Sequence, residues 1–402
     1  MSDFASGKAE SSEKSYVNWL YHVKGVGRKR MHLMLSRGNV AKEIYEMSGN
    51  MLRGFLSEKC GFSEKQTAAV SAGMEDLRKR KTPEQLMEEL YQKKIVFLLP
   101  GDNAYPKKLE KIPDAPFALY MKGRREAAEK LSEMSVAVIG ARECSLYGRK
   151  VAEYIGKRCA QRGLPLVSGM ACGVDGIAQW ASLCGDGIVA GVLGSGVDVC
   201  YPPSNQKLYD GLIAEGCIYS EYVPGTEPKP TNFPPRNRII SGMSDAIVVV
   251  EAKEKSGTLI TVDMALEQGK EVYVVPGRIN DPMSKGCHRL IYQGASVVCD
   301  VDEMIEEILR TDLYDIDAVK NNGSNENVLA EGKCNPYLPG DMKHIIFRVL
   351  DIQPQTVQQI FDSRVWELEG VKRPSIPALQ TELFFMQMQG SVWERNGRFG
   401  IP

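Results

Sequence analysis

The sequence predicts an α/β fold: a doubly wound, mostly parallel sheet, with a helical region before it and a smaller domain after it. Three observations carry this expectation. Six short apolar runs recur between residues 135 and 277, helix-length segments separate most of them, and several end in glycine. Hydrophobicity inside the runs is continuous rather than alternating, which suits strands buried on both faces of a parallel sheet. Regular β–α alternation then places helices on both faces.

Four regions follow along the chain. Residues 14–130 are helical in pattern and rich in Met, Leu and Lys. Within them "VKGVGRKRMHLML" (23–35) has two glycines in a turn and then a basic apolar helix, the pattern of a helix-hairpin-helix module. An ordinary helical hairpin with a solvated basic face fits the same residues. The span from Lys14 to Lys42 carries Lys14, Lys24, Arg28, Lys29, Arg30, Arg37 and Lys42 with no Asp or Glu.

Residues 131–310 hold the expected strands: "SVAVIG" (135–140), "PLVSG" (165–169), "GIVAGVLG" (187–194), "CIYSEY" (217–222), "AIVVVEA" (246–252) and "EVYVVPG" (271–277). A helix and a final strand are expected in "GCHRLIYQGASVVCD" (286–300). Its apolar residues Leu290, Ile291 and Tyr292 exceed one helix stripe, so this end of the sheet is a candidate self-association surface. Residues 311–340 read as a polar linker. In 341–402, helices are followed by a hairpin with an Asn-Gly turn, which suggests a winged helix. That region has seven basic and seven acidic residues, so strong DNA binding by it is not expected.

Composition narrows the function. The 402 residues are 43% hydrophobic and 25% charged with net charge −1, so the molecule is no polycation and any attraction for nucleic acid is local. The chain has no run of eighteen apolar residues, so no membrane span is expected, and its start does not read as a signal peptide. Ten cysteines without CxxC spacing read as reduced thiols of a cytoplasmic protein rather than a zinc site.

The chemistry gathers at the strand ends. Gly140, Ala141 and Arg142 follow the first run, Ser168, Gly169, Gly173 and Asp175 the second, and "GSGVDVCYPPSN" (194–205) the third. Glycines let the backbone approach a phosphate, and helix N-termini supply N–H donors. "FPPRNRIISGMS" (233–244) predicts a helix starting at about Arg236, after Pro234 and Pro235. Arginines at a helix N-terminus oppose the dipole unless an anion sits between them. The alternative is that they pair with nearby carboxylates.

No GxxxxGK[ST] and no GxGxxG after the first run are present, so a P-loop ATPase and a dinucleotide dehydrogenase are disfavoured. None of His22, His32, His288 and His344 lies in a triad or metal motif. Asp175, Asp198 and Asp263 fit capping better than catalysis. The strand ends read as a binding site, for DNA or for a nucleotide-like small molecule.

The strings "VAVIGARECSLYG", "VSGMACGVDGIAQWA", "VLGSGVDVCYPPSN", "FPPRNRIISGMSDAIVVVEA", "SGTLIT", "ALEQGKEVYVVPG" and "GCHRLIYQGA" occur in that order. Together they resemble the DprA/Smf family of DNA-processing proteins over about 135–300. The resemblance implies a Rossmann-like domain that binds single-stranded DNA and works as a dimer, with a SAM-like helical domain before it. It further implies loading of the RecA recombinase onto incoming DNA in natural transformation, with no catalytic turnover, cofactor or metal.

Site roles follow from the same resemblance. Arg142 matches the arginine that holds backbone phosphate, and Phe233 the aromatic that contacts a base. Asn237 and Arg238 would face the phosphate pocket, with Arg236 assisting. Ser168, Gly169 and Gly196 would line it. A family lysine before the aromatic falls on Pro230, leaving Lys229 as the nearest candidate. Gln179 stands where family members commonly have histidine.

Overall fold

The computed structural model describes residues 13–35, 40–311, 342–350, 355–363, 366, 373–388, 391–395 and 398–400. The chain divides into two compact units, Met1–Asp312 and Leu313–Pro402. The start of the chain, Arg37 and all but the first residue of the expected linker lie outside the described residues.

The first unit opens with helices α1 (Glu13–Tyr21), α2 (Arg28–Leu35), α3 (Ala41–Glu46), α4 (Gly49–Gly54), α5 (Glu64–Arg80) and α6 (Pro83–Gln92). Capping boxes at Ser63/Gln66 and Thr82/Gln85 fix the starts of α5 and α6. Trp19, Leu20, Met31, Met34 and Ile44 are buried between these helices. The expected boundary near 130 is not where the helical region ends. Strands β1 (Val96–Leu98) and β2 (Leu119–Gly123) follow α6 and join the sheet, β2 pairing antiparallel with a strand 100 residues later. These strands are three and five residues long, too short for a period to declare itself against the helical pattern around them.

The parallel strands stand where the apolar runs predict them: β3 (Val136–Ile139), β4 (Leu166–Ser168), β5 (Val189–Val192), β6 (Cys217–Ser220), β7 (Ala246–Val249) and β8 (Glu271–Val274). A short β9 (Ser296–Val297) ends the sheet. The order is β1-β2-β6-β5-β4-β3-β7-β8-β9, parallel throughout except at β1 and β2. Between the strands run α7 (Arg125–Lys130), α8 (Leu146–Gln161), α9 (Val174–Leu183), α10 (Gln206–Glu215), α11 (Phe233–Met243), α12 (Gly257–Glu267) and α13 (Lys285–Tyr292), and α14 (Val301–Thr311) closes the unit.

Strand residues alternate between two cores. Val136, Val138, Leu166 and Val248 meet Ile155 of α8, Ala178 of α9, Leu212 of α10 and Ile305 of α14. Ala137, Ile139, Val167 and Val249 meet Ile239 of α11, Val262 of α12 and Leu290 of α13. Both faces are covered, as continuous apolar runs require.

The second unit contains helices Met342–Leu350, Val357–Asp362 and Ile376–Met388, with a three-stranded antiparallel sheet of 355–356, 398–400 and 393–395. Trp366 and Ile346 are central to its core. The Asn-Gly turn expected there lies outside the described residues.

Candidate nucleic-acid interface

Strand order reverses at β3: the chain steps outward through β4, β5 and β6, then returns to β7 on the other side. Ligands of doubly wound sheets enter the crevice at that point, beyond the carboxyl ends of the strands. Here the crevice is filled from within. Glu251, two residues after β7, is 2% exposed and accepts hydrogen bonds from Ser145 N–H (2.9 Å) and Ser145 Oγ at the start of α8. A protein carboxylate therefore sits on the helix N-terminus where a nucleotide phosphate would otherwise be received.

What stays open is the neighbouring surface over the ends of β3, β4 and β5. Arg142, in the β3–α8 loop, is exposed, and its guanidinium carbon stands 5.7 Å from the centroid of the Phe233 ring. The ring also lies 5.8 Å from the Arg236 guanidinium and 5.4 Å from the Tyr201 ring, tilted by 36°. It rests on Gly194, where a Cβ would be 2.9 Å from Phe233 Cδ1, so only glycine allows the approach. Asn232 donates to Gly194 O at 3.0 Å and ties the segment before the ring to the end of β5. Two aromatics and two cations share one patch.

Helix α11 begins at Phe233, three residues earlier than its prolines suggested. Pro234 and Pro235 occupy the first turn, where a missing N–H is tolerated. The consequence is that two of the donors expected to greet an anion do not exist. The helix end contributes its dipole, and side chains supply the donors.

Arg236 and Arg238 separate. Residues two apart on a helix stand about 200° apart around its axis, so they cannot share one pocket. Arg236 is 5% exposed, and its Nη1 donates to Gly169 O (2.8 Å) and to Val192 O, capping the ends of β4 and β5. Burial pushes its guanidinium down to about 10 against the pull of Asp175. Asp175 accepts from Gly169 N–H at 3.2 Å, and burial raises its carboxyl above the usual range although Arg236 opposes this.

Arg238 does not face the strand ends, contrary to expectation. Its Nη2 donates to both carboxylate oxygens of Glu221 at 2.9 Å, and its Nε lies 3.3 Å from Asp114 Oδ2. Asp114 also pairs with Arg28 of α2 at 2.8 Å. The pairing of arginine with carboxylates, left open as the alternative above, is the arrangement found for Arg238. It braces α11 against β6 and the helical region.

The other expected residues divide between support and surface. Ser168 is fully buried and donates to Val138 O at 2.6 Å, so its hydroxyl is not presented to a ligand. Gly169 offers its carbonyl to Arg236 from a buried position, and Gly196 is buried with its N–H donating to Thr226 O at 2.9 Å. Asn237 is half-buried on α11. Lys229 is exposed and has no ion pair among the described residues. Gln179 is buried and ties the segment after β4 to the body of β5, accepting from Met170 N–H (3.0 Å) and donating to Ala190 O (2.8 Å).

Sequence reasoning passed over Tyr201 and Glu251. Tyr201-Pro202-Pro203 repeats the aromatic-Pro-Pro pattern of Phe233-Pro234-Pro235, and that echo was the available signal. Nothing local marked Glu251, whose partner is 106 positions away. Among the described residues no three His, Cys, Asp or Glu side chains converge on a metal position, and no helix is long and apolar enough to cross a membrane.

Comparison with known proteins agrees with this architecture. A family model described as DNA recombination-mediator protein A matches residues 96–309, from the first residue of β1 into α14. Protein Smf of Synechocystis sp. is 35% identical over 332 residues, covering 82% of this chain and 78% of that protein. DNA processing protein DprA of Streptococcus pneumoniae is 41% identical over 206 residues, covering 51% of this chain and 72% of that protein. The X-ray structure of DprA from Streptococcus pneumoniae superposes with a TM-score of 0.61 at 32% identity, over 73% of this chain and 97% of that one. With its whole parallel sheet and all of the strand-end loops inside the matched span, the chain belongs to the family of DNA recombination-mediator protein A, DprA/Smf.

Proposed function

We propose that the patch formed by Phe233, Tyr201 and Arg142 binds single-stranded DNA without reading its sequence, and that the protein acts as a recombination mediator with no catalytic turnover. The observation that carries this reading is an aromatic ring held between cations at the strand ends. A base can stack on such a ring whatever its identity, at about 1–3 kcal/mol per base, while Arg142 meets the backbone phosphate. Arg236 serves this site by holding the ends of β4 and β5 in place, and Lys229 and Asn237 flank it. In this reading Ser168, Gly169 and Gly196 shape the loops, and Arg238 is a brace.

The family adds finer proposals. Loading of RecA onto DNA taken up in natural transformation, in the cytoplasm, is the role that membership suggests. Self-association through α13 and β9 is supported by Tyr292, 92% exposed, and by an edge strand whose two residues are both exposed. In the second unit, helices with a small antiparallel sheet support a winged helix, and exposed Phe384, Phe385 and Met388 favour a protein contact over DNA. The small-nucleotide reading is weakened by Glu251, which occupies the crevice such a ligand would need.

Anisotropy titrations with single-stranded DNA, duplex and mononucleotides at one salt concentration test the proposal. Single strands should bind best, because stacking on Phe233 needs unpaired bases. Equal affinity for single strand and duplex would remove stacking from the account, and tight mononucleotide binding would restore the small-molecule reading.

A further inference from the structure

A cleft of about 810 Å³ opens between α2 and the segment after β6, within the size range of ligand sites. Its walls include Tyr21, Phe62, Tyr222 and Pro235. Pro235 belongs to the first turn of α11, two residues from Phe233 and so about 200° around the helix axis from it, which puts the cleft on the Arg238 side of α11 and the strand-end patch on the other. Its other rim is Arg28, Lys29 and Arg30, from the part of the sequence that lacks acidic residues.

Charge in the cleft is unbalanced towards the positive. Glu221 lines it, but both of its oxygens are taken by Arg238, and Asp114 is shared by Arg28 and Arg238. The two arginines thus spend the two carboxylates. Lys29 is exposed with no ion pair among the described residues, and Arg30 lies 5.8 Å above the Phe62 ring while donating to Gly25 O. Arg28 Nη1 is buried and has no hydrogen-bond partner among the described residues. A buried donor of this kind is costly unless a ligand satisfies it.

We propose that this cleft is a second seat for the same single strand, which rounds the N-terminus of α11 after stacking at Phe233 and lays a base against the aromatic wall with its phosphate on Lys29 and Arg28. Apolar walls with a cationic rim match a stacking platform with an electrostatic track. The proposal rests on the Phe233–Arg142 reading above, and a length series separates the two. Oligothymidylates of increasing length are titrated by anisotropy against the full chain, Lys29→Glu and Phe233→Ala, at several salt concentrations.

Lys29→Glu should bind the shortest oligomers as the parent does. It should lose several-fold affinity, and about 0.7 of salt slope per lost phosphate contact, only once the strand is long enough to reach α2. No change at any length, with Phe233→Ala weakened throughout, would overturn the second seat and leave the first standing. An equal loss at every length would also overturn it, because long-range charge and not a seat would be responsible. If Phe233→Ala matched the parent at all lengths, the strand-end reading itself would fall, and the cleft proposal with it.

Discussion

Arg236 and Arg238 differ by about half a turn of helix phase and by everything that follows from it. The first closes the ends of two strands, the second pairs with Glu221, and both are buried. Arg238→Ala should therefore act on stability. It strands a buried carboxylate, which typically costs about 3–5 kcal/mol. Urea midpoints will show this loss whether or not DNA is present. Arg142 is exposed and should behave in the opposite way. Arg142→Ala leaves stability within about 0.5 kcal/mol of the parent, while single-strand affinity falls by about 1–3 kcal/mol and the salt slope flattens.

Asp175 offers a pH signature at the same scale. Its folded pKa stands above the unfolded one, so its contribution is full below the unfolded value of about 3.9 and declines as pH rises through the folded value. On acidification from neutrality the parent gains from this group, and Asp175→Asn does not. Urea midpoints at about pH 4.5 and pH 7 should show the variant losing more stability on acidification than the parent.

At the scale of elements, the turn from β4 into α9 controls the Arg142 loop. Gly173 has φ 77°, and a Cβ there would lie 2.2 Å from Ala141 O and 2.4 Å from Arg142 O. Val174 N–H donates to Ala141 O at 3.2 Å, so the two loops are joined at this point. Gly173→Ala brings both backbone strain and a clash, and should destabilise by about 2–3 kcal/mol. Single-strand affinity should fall as well, because the Arg142 loop has to move. Denaturation and anisotropy on the same sample measure both.

The whole molecule carries a net charge of −1, so binding depends on a local patch rather than on overall attraction. The plot of log affinity against log salt should be shallow, at about 0.7 per phosphate contacted, with only a few contacts. The proposed self-association through α13 and β9 belongs to this scale too. Light scattering at micromolar protein should give twice the 44.5 kDa chain mass. Tyr292→Asp, at an exposed position, should return it to the single mass without loss of fold.

The sequence by itself determined the strands β3 to β8, because continuous apolar runs have one favourable setting, buried on both sides of a parallel sheet. It also drew attention to Arg142 beside a glycine-bearing strand end and to the Phe233-Pro234-Pro235 segment, although their separate roles came from the family resemblance. Three matters required the tertiary structure: which of two arginines turns inward, that Glu251 fills the crevice, and that β1 and β2 extend the sheet. Helix phase separates Arg236 from Arg238 but does not say which side meets the strands. The partners of Glu251 and Arg238 lie 106 and 17 positions away, and β2 finds β6 across about a hundred residues. Local pattern specifies the elements because propensity and burial act over a few residues. The site is assembled by contacts between distant segments, and no short window of sequence contains both halves of such a contact.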